Sequence, residues 1–146
     1  MAFNYMTEAV KRPKLKFRLV SKWLNQVIGN RGCTAGAITY IFCNDEYLKQ
    51  INAKYLDHHY FTDIVTFDYV DGNLISGDMF ISIERVTENA VTFGSELSEE
   101  FLRVIVHGLL HLLGYKDGSP TEKLEMRSAE NKALIEFKDL SNEGIK

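Results

Sequence analysis

Apolar positions along the chain follow two periods that alternate from one end to the other. Leu15, Leu19, Val20, Trp23, Leu24, Val27 and Ile28 recur at three- and four-residue steps, the stripe of an amphipathic helix. Pro13 suits a first helical turn, so a helix is predicted from Pro13 to about Asn30. Gly29, Gly32 and Gly36 mark a loop, and Ala37 to Cys43, rich in β-branched and aromatic residues, reads as a strand. Phe3 to Met6 reads as a short edge strand. Asn44 is placed to cap a second helix carrying Tyr47, Leu48, Ile51 and Tyr55. Asp63 to Tyr69 and Gly77 to Ile83 flank the turn signal Asp71-Gly72-Asn73, which predicts an antiparallel pair. A short helix is expected from about Glu84 to Thr92. Ser98 would then cap a strongly apolar helix bearing Val104, Ile105, Leu109, Leu110, Leu112 and Leu113. Ser119-Pro120-Thr121-Glu122 has the form of a capping box with proline at the first helical position, opening a last helix to about Leu140.

This order predicts an α+β fold. One compact domain over residues 1–146 would hold a small mixed sheet of three or four strands, with about five helices around a central buried one. The length supports a real hydrophobic core in a single domain. No run approaches the ~18 apolar residues of a membrane span, and the chain does not start with a basic stretch followed by an apolar one. No membrane association and a cytoplasmic location are expected. Cys33 and Cys43 form no C-x-x-C arrangement, so both are expected to be reduced, Cys33 in a loop and Cys43 in a strand.

Net charge is −3, which argues against a protein that coats nucleic acid nonspecifically, but the charge is unevenly spread. Residues 1–31 carry seven lysines and arginines against one acid, Glu8, so the rest of the chain sums to −9. The basic helix, from Lys14 to Lys22, is either the wet face of an amphipathic helix or a local contact for a phosphate backbone.

The most informative chemistry is H-x-x-x-H-x-x-G-x-x-D, formed by His107, His111, Gly114 and Asp117. Residues four apart share a helix face, so both imidazoles can point at one ion. Gly114 can end the helix in a left-handed turn that brings Asp117 back from the opposite side. Two nitrogens and a carboxylate oxygen leave a fourth position open, which suits a catalytic zinc better than a structural one. Buried histidines must otherwise find polar partners, and an acid just past a helix is commonly solvated; the joint spacing favours the ligand set. Zinc peptidases place a glutamate after the first histidine to take a proton from water. Here that position is Gly108, which disfavours peptide hydrolysis by that route.

Gly77-Asp78-Met79-Phe80-Ile81-Ser82, followed by His107-Gly108-Leu109-Leu110-His111-Leu112-Leu113-Gly114-Tyr115, resembles the YbeY family. The likeness extends upstream through Leu48 to Asn52 and Thr62 to Phe67, and downstream to Met126 and Glu130. The resemblance implies a metal-dependent, single-strand endoribonuclease acting in ribosomal RNA maturation and ribosome quality control. It also implies ribosomal RNA or ribosomal particles as partners, one zinc ion per chain, and His107 and His111 as metal ligands. The family usually has a third histidine where this chain has Asp117, a mild change because carboxylates also bind zinc. It usually has an arginine after the tyrosine of the second helix, where this chain has Leu56. Lys54, His58 and His59 are the nearby candidates for contacting substrate in its place. The general base is not identified; Asp63 and Asp78 are candidates for orienting a ligand or accepting a proton. A noncatalytic ribosome-assembly factor with a structural metal, and a metal hydrolase with another substrate, remain as alternatives.

Overall fold

The computed structural model describes residues 2–56 and 62–145, with side chains as far as 142. Its elements run β1 (Phe3–Thr7), α1 (Phe17–Gly29), β2 (Thr34–Cys43), α2 (Asp45–Leu56), β3 (Ile64–Asp68), β4 (Leu74–Ser82), α3 (Ile83–Phe93), α4 (Leu97–Leu112) and α5 (Pro120–Ile145). The four strands form one mixed sheet in the order β1-β2-β4-β3. β1 and β4 both lie parallel to β2, and β3 runs antiparallel to β4 with Val65 opposite Phe80 and Phe67 opposite Asp78. The α+β class, the mixed sheet and the antiparallel pair are as expected from the sequence.

Strand alternation gives the sheet two unlike faces. Ile38, Tyr40 and Phe42 of β2 and Ile75, Met79 and Ile81 of β4 enter the main core with α1, α4 and α5. On the reverse face, Val65 with Phe67 and Phe80 meets Tyr47, Leu48 and Ile51 of α2 in a smaller cluster. Polar ties lock the main layer: Trp23 Nε1 donates to the Ala133 carbonyl at 2.7 Å, and the Tyr40 hydroxyl donates to the Ile105 carbonyl at 2.8 Å. α4 lies directly on the sheet because Gly108 has no side chain. A Cβ there would fall 2.5 Å from Met79 Sδ and 2.7 Å from Ile64 Cδ1.

Two helix starts differ from the sequence expectation. α1 begins at Phe17 rather than Pro13, with Lys16 at its cap and no side-chain hydrogen bond. Lys14 and Lys16 would otherwise crowd the positive end of the helix dipole. α4 begins at Leu97, so Ser98 lies inside its first turn rather than capping it. β2 starts at Thr34, three residues early, with a register shift between Ala35 and Ile38. β4 likewise starts early, at Leu74, and α5 extends past Leu140. Tyr55, carried by α2 as expected, is exposed and meets the edge of Phe67. Asn44 does cap α2 through Tyr47 N–H at 2.8 Å. Both cysteines are free, Cys33 just before β2 and Cys43 buried at its end, where burial pushes the Cys43 thiol up to about 12.

Candidate metal centre

The last turn of α4 is held by backbone geometry. Gly114 has φ of +103°, Tyr115 N–H donates to the Leu110 carbonyl at 3.0 Å, and Gly114 N–H donates to the His111 carbonyl at 3.0 Å. These two bonds are a Schellman closure, which satisfies carbonyls the helix would leave open and turns the chain back. Five residues on, Ser119 and Glu122 exchange hydrogen bonds at 2.9 and 3.1 Å, the reciprocal box the sequence predicts. The chain between these two stops carries Asp117 toward the histidines.

His107 Nε2 and His111 Nε2 lie 3.1 Å apart, and Asp117 Oδ2 lies 3.3 and 3.5 Å from them. The far nitrogens are already engaged. His111 Nδ1 faces the Tyr115 carbonyl at 3.0 Å, which can only accept, so Nδ1 carries the proton and Nε2 presents a lone pair. His107 Nδ1 faces Glu130 Oε2 at 2.6 Å, with the same consequence. Three electron-rich atoms therefore converge, and charge balance calls for a proton or a metal cation among them. A tetrahedral ion with bonds of about 2.0–2.1 Å keeps its ligand atoms about 3.3 Å apart, the spacing seen here. The donor set thus fits a divalent cation: these three residues could hold one.

Glu130 is buried on α5 and is paired with Arg103 at 3.0 Å as well as with His107. Burial opposes its charge, but the bonds from His107 and Arg103 outweigh that and hold its carboxyl below the usual range. Burial likewise lowers the His107 pKa, yet Glu130, Asp117 and Asp63 together raise it. In the sequence, Glu130 stands out only as part of the stretch that carries the family resemblance. Its signal was position: Met126, Glu130 and Ala133 share the buried stripe of α5, and an acid on such a stripe needs a partner.

The three atoms open onto a pocket of about 550 Å³, lined also by Asn52, Leu56, Asp63, Thr66 and Asp68. No lysine or arginine lines it among the described residues. Asp63 belongs to this pocket, its carboxyl raised by burial against the lowering effect of His107. Asp78 does not line the pocket; it shares the reverse sheet face with its partner Phe67. Leu56, where the resemblance expects arginine, lines the pocket and is 40% exposed. Lys54 is exposed on α2 and does not line it; its Nζ lies 5.3 Å from the Tyr55 ring centre. His58 and His59 lie outside the described residues.

Fold and site define the class first: a single-sheet α+β domain with a two-histidine, one-carboxylate centre at the end of its central helix. Comparison with known proteins then gives the family. The family profile described as Endoribonuclease YbeY matches residues 4–138. A Bacteroides thetaiotaomicron protein named Endoribonuclease YbeY is 48% identical over 134 residues, covering 92% of this chain and 98% of its own. One of the same name from Flavobacterium johnsoniae is 47% identical over 135 residues, covering 92% and 95%. The chain belongs to the YbeY family. The solution structure of a Thermotoga maritima protein matches the fold with a TM-score of 0.67 at 22% identity, over 97% of this chain and 93% of that one.

Proposed function

We propose that this protein is a metal-dependent endoribonuclease of ribosomal RNA maturation, with one zinc ion held by His107, His111 and Asp117 and residues 1–146 acting as one domain. The convergence of three lone-pair atoms at tetrahedral spacing carries the metal reading. Its relatives' shared name carries the reaction class. A divalent ion held there supplies positive charge to a phosphoryl oxygen and acidifies water at the site. The chain's own residues do the rest. Glu130 and the Tyr115 carbonyl keep the protons on the far nitrogens, so both Nε2 atoms face the pocket as ligands. Asp63, half-buried in the same pocket with a raised pKa, is the carboxylate assigned to take a proton from the attacking hydroxyl. Single-stranded RNA is the fitting substrate, because its ribose 2′-hydroxyl is available as a nucleophile and its bases are free to splay. Ribosomal particles as partners and a cytoplasmic location belong to this same proposal. No helix among the described residues is long and apolar enough to cross a membrane.

A structural metal in a noncatalytic assembly factor is the second reading, favoured by Leu56 where the family usually has arginine. Against it stands the openness of the centre: the Asp117 side chain is 43% exposed and the pocket is large. Structural zinc sites are closed. The test combines elemental analysis with cleavage of a fluorescent single-stranded RNA, for wild type, His107→Ala and Asp117→Ala. About one zinc per chain, lost in both folded variants together with a chelator-sensitive cleavage, is the expected result. Metal bound without cleavage would leave the assembly-factor reading.

A further inference from the structure

An RNA-cleaving pocket lined by Asp63, Asp68 and Asp117 and by no lysine or arginine among the described residues repels the phosphate chain it must hold. One ion cannot supply the affinity for a whole strand, since binding strength grows with the number of phosphates neutralised. The cations lie elsewhere. Lys11, Arg12, Lys14, Lys16, Arg18 and Lys22 are all exposed along the start of α1 and the segment before it. None of the six pairs with a carboxylate among the described residues. This charge is concentrated on a chain whose remaining residues sum to −9.

Beside these cations is a second pocket, about 440 Å³, lined by Asn4, Tyr5, Arg12, Phe17, Arg18 and Ser21. Its floor is aromatic: the Tyr5 and Phe17 rings lie 4.5 Å apart, and the Arg12 guanidinium sits 4.2 Å from the Phe17 ring centre. The Tyr5 hydroxyl and Ser21 Oγ bond at 2.9 Å, fixing the wall. A guanidinium plane seated on an aromatic ring is a platform for an unstacked base, and lysines around it track a backbone. A duplex offers no free base face to such a pocket.

We propose that this edge of the molecule is an RNA exosite, in which one base of a single strand stacks on the outer face of the Arg12 guanidinium, itself seated on Phe17, while Lys14, Lys16, Arg18 and Lys22 hold its phosphates. The exosite adjoins β1, and the metal pocket adjoins β3, at opposite edges of the sheet. Three strand spacings, roughly 14 Å, separate the two edges. Binding and cleavage are thereby divided between two sites on one strand. The inference rests on RNA being the substrate, as proposed above.

The test is fluorescence anisotropy with a 5′-labelled 20-nucleotide single-stranded RNA, in chelator to stop cleavage, across a range of salt. Lys14→Gln/Lys16→Gln/Arg18→Gln/Lys22→Gln is expected to weaken binding at least tenfold at 0.1 M salt. The log–log salt slope should fall by about 0.7 for each cation removed that contacts a phosphate. Arg12→Lys, which keeps the charge but removes the planar face, is expected to weaken single-strand binding at least threefold and duplex binding little. In cleavage assays with metal present, both variants should raise KM and leave kcat unchanged. Unchanged affinity and slope in a folded quadruple variant would overturn the exosite, as would wild-type binding to anionic lipid vesicles in place of RNA. Wild-type RNA binding that depends on these residues, without cleavage, would uphold the exosite and sink the nuclease reading instead.

Discussion

The two edges of the sheet carry opposite chemistry. At the β3 edge, carboxylates and imidazoles are half-buried, and they are held in place by contacts from distant elements; at the β1 edge, cations stand exposed on a helix whose start no side chain caps. The first arrangement needs precision, because ligand atoms a few tenths of an ångström out of place no longer share one ion. The second needs only density of charge, because phosphate contacts are summed over a flexible strand. The contrast explains how a chain of net charge −3 can act on RNA: reactivity and affinity are built in different places by different means.

Four experiments break or sharpen that contrast, in descending order of effect. His111→Ala is expected to abolish cleavage, by a thousandfold or more, while RNA binding in chelator is unchanged; loss of binding alongside would show that the two edges are not separable. Asp63→Asn should lower kcat about a hundredfold, within the range for a proton-transfer group. Its effect on stability should run the other way. Burial raises the Asp63 pKa, so the folded protein is favoured by its protonation below the unfolded value of about 3.9, and that advantage is lost as pH rises through the folded value. Thermal unfolding of Asp63→Asn should therefore show a flatter decline over this acidic window and no loss of stability at pH 7. A variant that melts well below wild type at pH 7 would reassign Asp63 to a structural role.

Glu130→Gln keeps the shape but removes the charge behind His107. A loss of ten- to a hundredfold in metal affinity is expected, read by competition with a chromogenic chelator. Retained affinity would mean that Arg103, not His107, is the partner that matters to Glu130. The smallest effect is expected from Leu56→Arg, which puts one cation into the acidic pocket. RNA binding should tighten severalfold, with a salt slope steeper by about 0.7, and the gain should be largest in the variant lacking the α1 cations. No gain there would mean that the position, although it lines the pocket, does not meet the strand.

Much of the candidate metal centre was legible before any coordinates. The i,i+4 histidines, the glycine stop and the capping box are local devices, each decided within about five residues of chain, and the structure reproduces all of them. Asp117 followed from them, since two local stops confine the turn that carries it. The start of α1 was less legible, because proline at a first turn competes with a run of lysines that opposes the dipole, and the pattern alone does not weigh the two. Asp63 and Asp78 looked alike in sequence. Alternation on paired strands puts Asp78 on the reverse face with Phe67, while Asp63, just before β3, joins the pocket.

By itself, then, the chain's order determined the elements, the two-histidine stripe and the concentration of charge near its start. Periodicity, capping and composition act over a turn or a few strand residues, and these can be read without knowing what packs on what. Only the tertiary structure decided that Glu130, 23 residues away on another helix, aims His107. It also placed Leu56 and Asp63 in one pocket with His107, His111 and Asp117, and the cations and their aromatic pocket at the opposite sheet edge. Such partnerships arise where separately formed elements bury their apolar faces against a shared sheet, and no local period in the chain encodes which faces will meet.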